Sequence, residues 1–225
     1  MNDLKYKKLL NLARKEYQQL NMHSHDWDHI QRVLQYCERI NKKEKTDVTI
    51  LFPACILHDL GRVKGKEKDH STSIEKSDNL LAQSGYAEDE RKKIIDCILS
   101  HSVNSDKKPV SMEAKILFDA DKLDSYGAIG VTRFFTLAGE QQWNLQESID
   151  HAFERITKLS SIGGFYTKEA EQIGTSKAKT TFIFYYFLFQ ELNEMEKIKS
   201  LEKIFMGKYG KIKGKIILKT LKKYF

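Results

Sequence analysis

The chain has 225 residues and a mass of 26.2 kDa, and 40% of its residues are hydrophobic, which is enough to bury one full core. The net charge of +7 lies at one end: residues 197–225 contain ten lysines and one acid, whereas the rest of the chain carries −2, which argues against a nucleic-acid-binding surface over the whole molecule. The sequence contains no apolar run of about 20 residues, the length that a membrane span requires. The polar start also lacks the apolar core of a secretory signal, so we expect a cytoplasmic protein.

The apolar residues recur with the period of an α-helix, and no run of alternating residues indicates a strand. We therefore predict an all-α fold, a single-domain helical bundle. The predicted helices cover residues 9–20, 30–40, 47–58, 74–81, 88–101, 111–127, 145–159 and 168–192. Gly61 is expected to follow the end of the third helix, and Ser111 is expected to cap the sixth.

The basic end of the chain has a different composition from the rest. We place one domain at residues 1–196 and a basic tail, expected to be helical, at residues 197–225. Its lysines alternate with isoleucine, leucine and aromatic residues, a pattern typical of a cationic amphipathic helix that contacts acidic lipid or nucleic acid. The pattern fits equally a terminal helix that covers the core with its lysines in water, and we favour this second interpretation.

Three cysteines, Cys37, Cys55 and Cys97, form no closely spaced pair, and each lies among aliphatic residues. An odd number cannot pair completely within one chain, so a disulfide framework is not expected. We predict that all three are small buried hydrophobic residues.

A histidine and an aspartate, His58 and Asp59, follow directly after the apolar run 50–57. Both side chains are costly at the end of an apolar helix unless something pairs with them, and a divalent cation does so well. Further ligands have to come from distant positions, of which His29 and Asp121 are the best candidates because both lie within apolar helical patterns. The absence of cysteine from this set argues against a structural zinc site.

Mixed imidazole and carboxylate ligands suit several divalent ions, and we favour Mn²⁺ over Mg²⁺, Co²⁺, Ni²⁺, Fe²⁺ and Zn²⁺. A site with three or four protein ligands leaves positions open for water. The ion lowers the pKa of that water, so that a metal-bound hydroxide forms near neutral pH, and it withdraws charge from a phosphoryl oxygen. The sequence therefore indicates hydrolysis of a phosphate compound.

Three segments in this order and spacing resemble the HD-domain metal-dependent phosphohydrolases: residues 25–33 (HDWDHIQRV), 54–61 (ACILHDLG) and 119–130 (DADKLDSYGAIG). The resemblance covers roughly residues 20–195, and the later segment FYTKEA at 165–170 is similar to small bacterial HD hydrolases, which include nucleoside triphosphate pyrophosphatases. It implies a helical bundle in which His29, His58, Asp59 and Asp121 bind the metal.

Three residues are candidates for catalytic roles. Asp59 can bind the ion and steer the water, and Asp124, on nearly the same helix face as Asp121, can accept a proton or position water. In two-metal HD enzymes further histidines follow the His-Asp pair, so the resemblance implies that His101 holds a second ion or contacts the phosphate, and it can act there as an acid or charge stabiliser. The alternative for His101 is a histidine that simply ends a helix.

Four residues are candidates for binding substrate, each beside a structural alternative. His70 holds a second ion, contacts phosphate or simply begins a helix, and Lys122 either bends back to a phosphate or is solvated. Lys177 and Lys179 lie where the resemblance places basic side chains, although a solvated helix face is the commoner explanation. For Arg32 we favour a structural role, paired with a neighbouring carboxylate.

The function predicted from the sequence is a divalent-metal-dependent phosphohydrolase that acts on a nucleotide or a related phosphate compound. By the resemblance, a nucleoside triphosphate is the favoured substrate. The alternative is a non-catalytic module that senses a nucleotide in the same pocket, with a basic tail that binds an anionic partner.

Overall fold

The computed structural model describes residues 4–20, 22–60, 71–102, 105–161 and 164–209. Within these ranges the chain forms ten α-helices, a short 3-10 helix (His23–His25) and no strand, which confirms the predicted all-α class. The helices are α1 (Leu4–Gln19), α2 (Trp27–Glu44), α3 (Val48–Leu57), α4 (Ser71–Ser84), α5 (Glu88–Ser100), α6 (Met112–Asp124), α7 (Gly127–Glu140), α8 (Leu145–Ser161), α9 (Lys168–Glu191) and α10 (Met195–Tyr209). None of these helices combines the length and the apolar character that crossing a bilayer requires.

Helices α1 to α6 bury a common core. Helix α2 turns one apolar stripe inward, with Ile30, Val33, Cys37 and Ile40 buried, as its period in the sequence predicts. Its first turn is fixed by Asp26, whose side chain accepts a hydrogen bond from the backbone N–H of His29. The start of α2 is therefore held in place where the first candidate ligand lies.

Helix α3 is apolar on nearly all sides and lies in the middle of this core, where Leu51, Ala54, Ile56 and Leu57 are fully buried. Pro53 lies within the helix. The helix ends at Leu57, so that His58 and Asp59 follow it while still inside the protein. Gly61, the predicted stop, lies outside the described residues.

Helices α7 to α10 bury a second core that is rich in aromatic side chains. Phe182 on α9 stacks on Phe205 of α10 with ring centroids 3.9 Å apart, and Tyr186 and Phe189 are fully buried. Helix α7 was not among the predicted helices, and the predicted sixth helix ends at Asp124 rather than at Gly127. Glycine has a low helix propensity, and the three glycines of α7 hid the helical pattern of this segment in the sequence.

The predicted tail begins inside a helix. Helix α10 spans the proposed boundary at residues 196/197, and its Ile198, Leu201 and Phe205 are buried in the second core. The part of the basic segment up to Tyr209 thus lies in a helix that packs in the second core, while the interpretation of the tail as a whole stays a prediction. Residues 210–225 lie outside the described residues.

The three cysteines are free and buried, which confirms the prediction that they are small buried hydrophobic residues.

Candidate metal centre

Four helices bring their ends to one point in the first core. His29 lies in the first turn of α2, His58 and Asp59 follow α3, His101 follows α5, and Asp121 lies in the last turn of α6. Helix ends are suitable places for such groups, because they leave the apolar faces of the helices free to pack.

The side-chain atoms meet within a few ångströms. The Nε2 atom of His29 lies 3.3 Å from Nε2 of His58, 3.3 Å from Oδ2 of Asp59 and 3.4 Å from Oδ1 of Asp121. The Nε2 atom of His58 lies 3.4 Å from the same Asp59 oxygen, and Nε2 of His101 lies 3.8 Å from the other one. The structure thus brings together all four predicted ligands and His101.

The opposite nitrogen of each ring has a partner that can only accept a hydrogen bond. The Nδ1–H of His58 donates to the carbonyl oxygen of Cys55 (2.7 Å), and the Nδ1–H of His101 donates to the carbonyl oxygen of Ile98 (2.5 Å). The Nδ1–H of His29 donates to the Asp124 carboxylate (2.8 Å). In the neutral tautomer, all three rings therefore direct the lone pair of Nε2 to the common centre, which is the arrangement of metal-binding histidines.

Electrostatics at this point favour positive charge. Burial lowers the pKa of His58, but the charge of Asp59 and the hydrogen bond to Asp121 raise it to about 10. Burial raises the pKa of Asp121, yet His29 and His58 hold it well below its ordinary value. Burial and the charge of His58 lower the pKa of His101 to about 4. The raised pKa of His58 thus favours a positive charge at the position where a divalent ion would bind, and metal binding would displace that proton.

The donor set fits a divalent ion of intermediate hardness, since it offers imidazole nitrogens and carboxylate oxygens and no thiolate. Among the residues that the structure describes, two groups of three have ligand atoms within 4.8 Å of one another, and they share His58. One adds His29 and Asp121, and the other adds Asp59 and His101. Asp121 is the accessible member, with 27% of its side chain exposed, whereas the histidines are buried.

Asp124 occupies a different place from the one predicted for a proton acceptor. Its carboxylate is fully buried and lies on the Nδ1 side of His29, away from the point where the Nε2 atoms meet. It also accepts hydrogen bonds from Arg32 (2.9 to 3.2 Å) and forms an ion pair with Arg133 (3.0 Å). Burial raises its pKa, but these three groups lower it to about 2. These contacts suit the orientation of His29 rather than proton transfer.

Lys122 is neither solvated nor available to a phosphate. It is 3% exposed, its Nζ donates to the carbonyl oxygen of Gly164 (2.8 Å), and it lies over the ring of Phe165 (4.8 Å). Next to it, the buried Asp119 accepts hydrogen bonds from the backbone of Tyr166 and from Thr167. These two α6 residues thus hold the segment that leads into α9.

The remaining candidates lie elsewhere. Lys177 on α9 donates to the hydroxyl of Tyr36 (2.5 Å) and lies over the ring of that tyrosine. Tyr36 is on α2, seven residues after His29. Lys179 is exposed on α9, and substrate binding by either lysine stays a prediction. His70 lies outside the described residues. Arg32 is bonded to Asp124, in the structural role that the sequence favoured.

Sequence reasoning missed two charged residues of α7. Arg133 donates to the backbone oxygen of Ser24 (2.9 Å) as well as contacting Asp124. Glu140 accepts hydrogen bonds from the backbone N–H and the hydroxyl of Ser24. The available signal was Arg133 itself, the single charge in the largely apolar segment from Gly127 to Ala138.

Comparison with known proteins gives consistent results. The sequence profile of the HD domain matches residues 26–126. The uncharacterized protein YpgQ of Bacillus subtilis is 32% identical over 146 residues, which are 61% of this chain and 71% of YpgQ.

Several solved structures share the fold. The structure of Bacillus subtilis YpgQ in complex with ADP has a TM-score of 0.63 and 24% identity, and covers 81% of this chain and 97% of that one. A Lactobacillus plantarum protein gives a TM-score of 0.72 at 20% identity (86% and 99% covered). An HD-superfamily hydrolase of Bacillus thuringiensis gives 0.62 at 24% identity (84% and 97% covered).

Proposed function

Because the chain belongs to the HD-domain family, we propose that it is a divalent-metal-dependent phosphohydrolase that acts on a nucleotide. The observation that carries this proposal is the convergence of three imidazole Nε2 atoms and two carboxylates on one point. Each imidazole is oriented through its Nδ1 by a separate acceptor. A packing role does not require such an arrangement, whereas a bound cation does.

A divalent ion bound at this centre would activate water near neutral pH and withdraw charge from a phosphoryl oxygen. His29, His58 and Asp121 would hold the ion. Asp59 turns one carboxylate oxygen toward His29 and His58 and the other toward His101, so it can bind the ion and orient a water molecule together. We favour Mn²⁺ because the donors are both nitrogen and oxygen.

His101 lies beside the predicted ligands, with its Nε2 atom 3.8 Å from Oδ1 of Asp59. Its Nδ1–H donates to the carbonyl oxygen of Ile98. In this tautomer the lone pair of Nε2 can accept a hydrogen bond from water or bind an ion, and a role for His101 as an acid or charge stabiliser remains part of the proposal.

A nucleotide is the favoured substrate because the relative YpgQ was crystallised in complex with ADP. The partly exposed side of the centre is formed by Asp121, so a phosphate group approaches from that side. Attack at the α-phosphorus of a triphosphate is the preferred reaction, in line with the resemblance to pyrophosphatases.

The test is a product assay with defined metals. Protein stripped with a chelator is incubated with Mn²⁺, Mg²⁺, Co²⁺ or Ni²⁺ and a panel of nucleoside di- and triphosphates. Release of pyrophosphate from a triphosphate indicates cleavage between its α- and β-phosphates, and release of orthophosphate from a triphosphate indicates a phosphatase. His58→Ala should abolish turnover, whereas the control His151→Ala, on α8 beside Trp143, should leave it unchanged.

Two outcomes would contradict the proposal. No product with any metal would overturn hydrolysis, and retained ADP binding in that case would favour the sensing module instead. Full activity of His58→Ala would overturn the location of the centre.

A further inference from the structure

Helix α7 belongs to the second core, yet both of its charged side chains reach the first. Arg133 donates through Nε to the backbone oxygen of Ser24 and contacts the Asp124 carboxylate through Nη1. Glu140 holds the backbone N–H and the hydroxyl of the same serine. Ser24 is 1% exposed and lies three residues before α2, so α7 fixes the entry to the helix that carries His29.

Asp124 joins these contacts to the metal centre. Its buried carboxylate meets His29 Nδ1 at 2.8 Å and two guanidinium groups at about the same range. One carboxylate between two arginines stays ionised, and it is held against the imidazole from more than one direction. The orientation of His29 thus depends on where Asp124 is held.

The two arginines differ in what they can fix. Arg32 comes from α2 itself, three residues after His29, and 30% of its side chain is exposed, so it moves with the ligand that it supports. Arg133 comes from another helix and only 11% of its side chain is exposed. It alone of the two ties Asp124, which lies on α6, to a helix other than the one that carries His29.

We propose that Arg133 is a positioning residue of the metal centre: it holds the Asp124 carboxylate and the backbone before α2 together, and thereby sets the direction in which His29 presents Nε2. The inference rests on the proposed function in one respect, that the centre holds a divalent ion. The guanidinium fork is needed because one lysine ammonium cannot reproduce two bonds in fixed, separate directions.

The test measures metal binding without substrate. Chelator-treated full-length protein is titrated with Co²⁺, and both the affinity and the visible absorption spectrum are recorded. Arg133→Gln and Arg133→Lys should weaken Co²⁺ binding by about 10- to 100-fold, as changes to groups that support metal ligands do, and should alter the spectrum. The matched control Arg155→Gln removes an arginine of α8 that bonds Ser125 and should change neither.

A double-mutant cycle separates positioning from general stability. If Arg133 acts through Asp124, then Arg133→Gln should have little further effect on Co²⁺ affinity in an Asp124→Asn background. Far-UV circular dichroism of each metal-free variant checks the fold, and Arg133→Lys provides a milder variant if Arg133→Gln does not fold.

Each result decides the matter. Wild-type affinity and spectrum in both Arg133 variants, or additive effects in the cycle, would overturn the positioning role and leave the proposed function intact. Absence of Co²⁺ binding by the unsubstituted chain would overturn both.

Discussion

Gly130→Ala should destabilise the protein, although alanine is the better helix former. Gly130 lies in α7, and a Cβ atom added there would meet the backbone carbon and oxygen of Ser125 at 2.2 Å. Both neighbours are backbone atoms, so no side-chain rotation relieves the overlap. Helix α7 would have to move away from the end of α6.

The magnitude follows from two opposing contributions. Alanine gains about 0.5–1 kcal/mol over glycine within a helix. Overpacking costs about 1–3 kcal/mol, and the upper end applies where backbone atoms collide. We therefore expect Gly130→Ala to lower the free energy of unfolding by about 2–2.5 kcal/mol, which corresponds to roughly 4–10 °C in Tm for a chain of this size.

Gly139→Ala provides the matched control, because it makes the same change in the same helix and its added Cβ meets nothing within 4 Å. This variant should gain stability, by up to about 1 kcal/mol. Thermal unfolding followed by circular dichroism, in chelator-treated protein, measures both. Equal Tm values for the two variants, or a gain for Gly130→Ala, would refute the close approach of α7 to Ser125.

Three further predictions concern the centre and its surroundings. A divalent ion at 100 times its Kd should add about 2.7 kcal/mol to the free energy of unfolding, and His58→Ala should lose this stabilisation; a metal-dependent Tm shift of unchanged size would contradict it. Lys122→Met should lower Tm through loss of the bond to Gly164, with KM for the nucleotide unchanged; a raised KM at constant Tm would restore Lys122 to the substrate site. Asp119→Asn should lose about 1–3 kcal/mol, because the neutral amide has one acceptor oxygen for three donors, and limited proteolysis should then cut faster at residues 164–167; unchanged cleavage would speak against this anchor.

The helices of the first core could be predicted because their signals are local. The apolar stripe of α2 and the continuous apolar run of α3 each indicate a helix without knowledge of its neighbours. Helix α7 could not be predicted, because Gly130 is required by contact with Ser125, and that contact exists only after the chain folds. Low local propensity hid a helix that tertiary packing stabilises.

The candidate site divides in the same way. His58 and Asp59 stood out because polar groups ended an apolar run, which is a conflict visible in the sequence. Lys122 was misjudged because its partners, Gly164 and Phe165, lie more than forty residues away. Arg133 was missed for the same reason. Its role depends on contacts with both Asp124 and Ser24, and these two residues come together only in the folded chain.

The three imidazoles are held in unequal ways, and this affects how the centre can change in evolution. The Nδ1 atoms of His58 and His101 are held by main-chain carbonyl oxygens, which every amino acid carries, so no substitution at Cys55 or Ile98 removes the acceptor. His29 alone relies on side chains. One amino-acid substitution, at Asp124 or at an arginine that holds it, can therefore reorient His29 and leave the other two imidazoles in place. Selection can thus tune metal affinity on the α2 side of the centre.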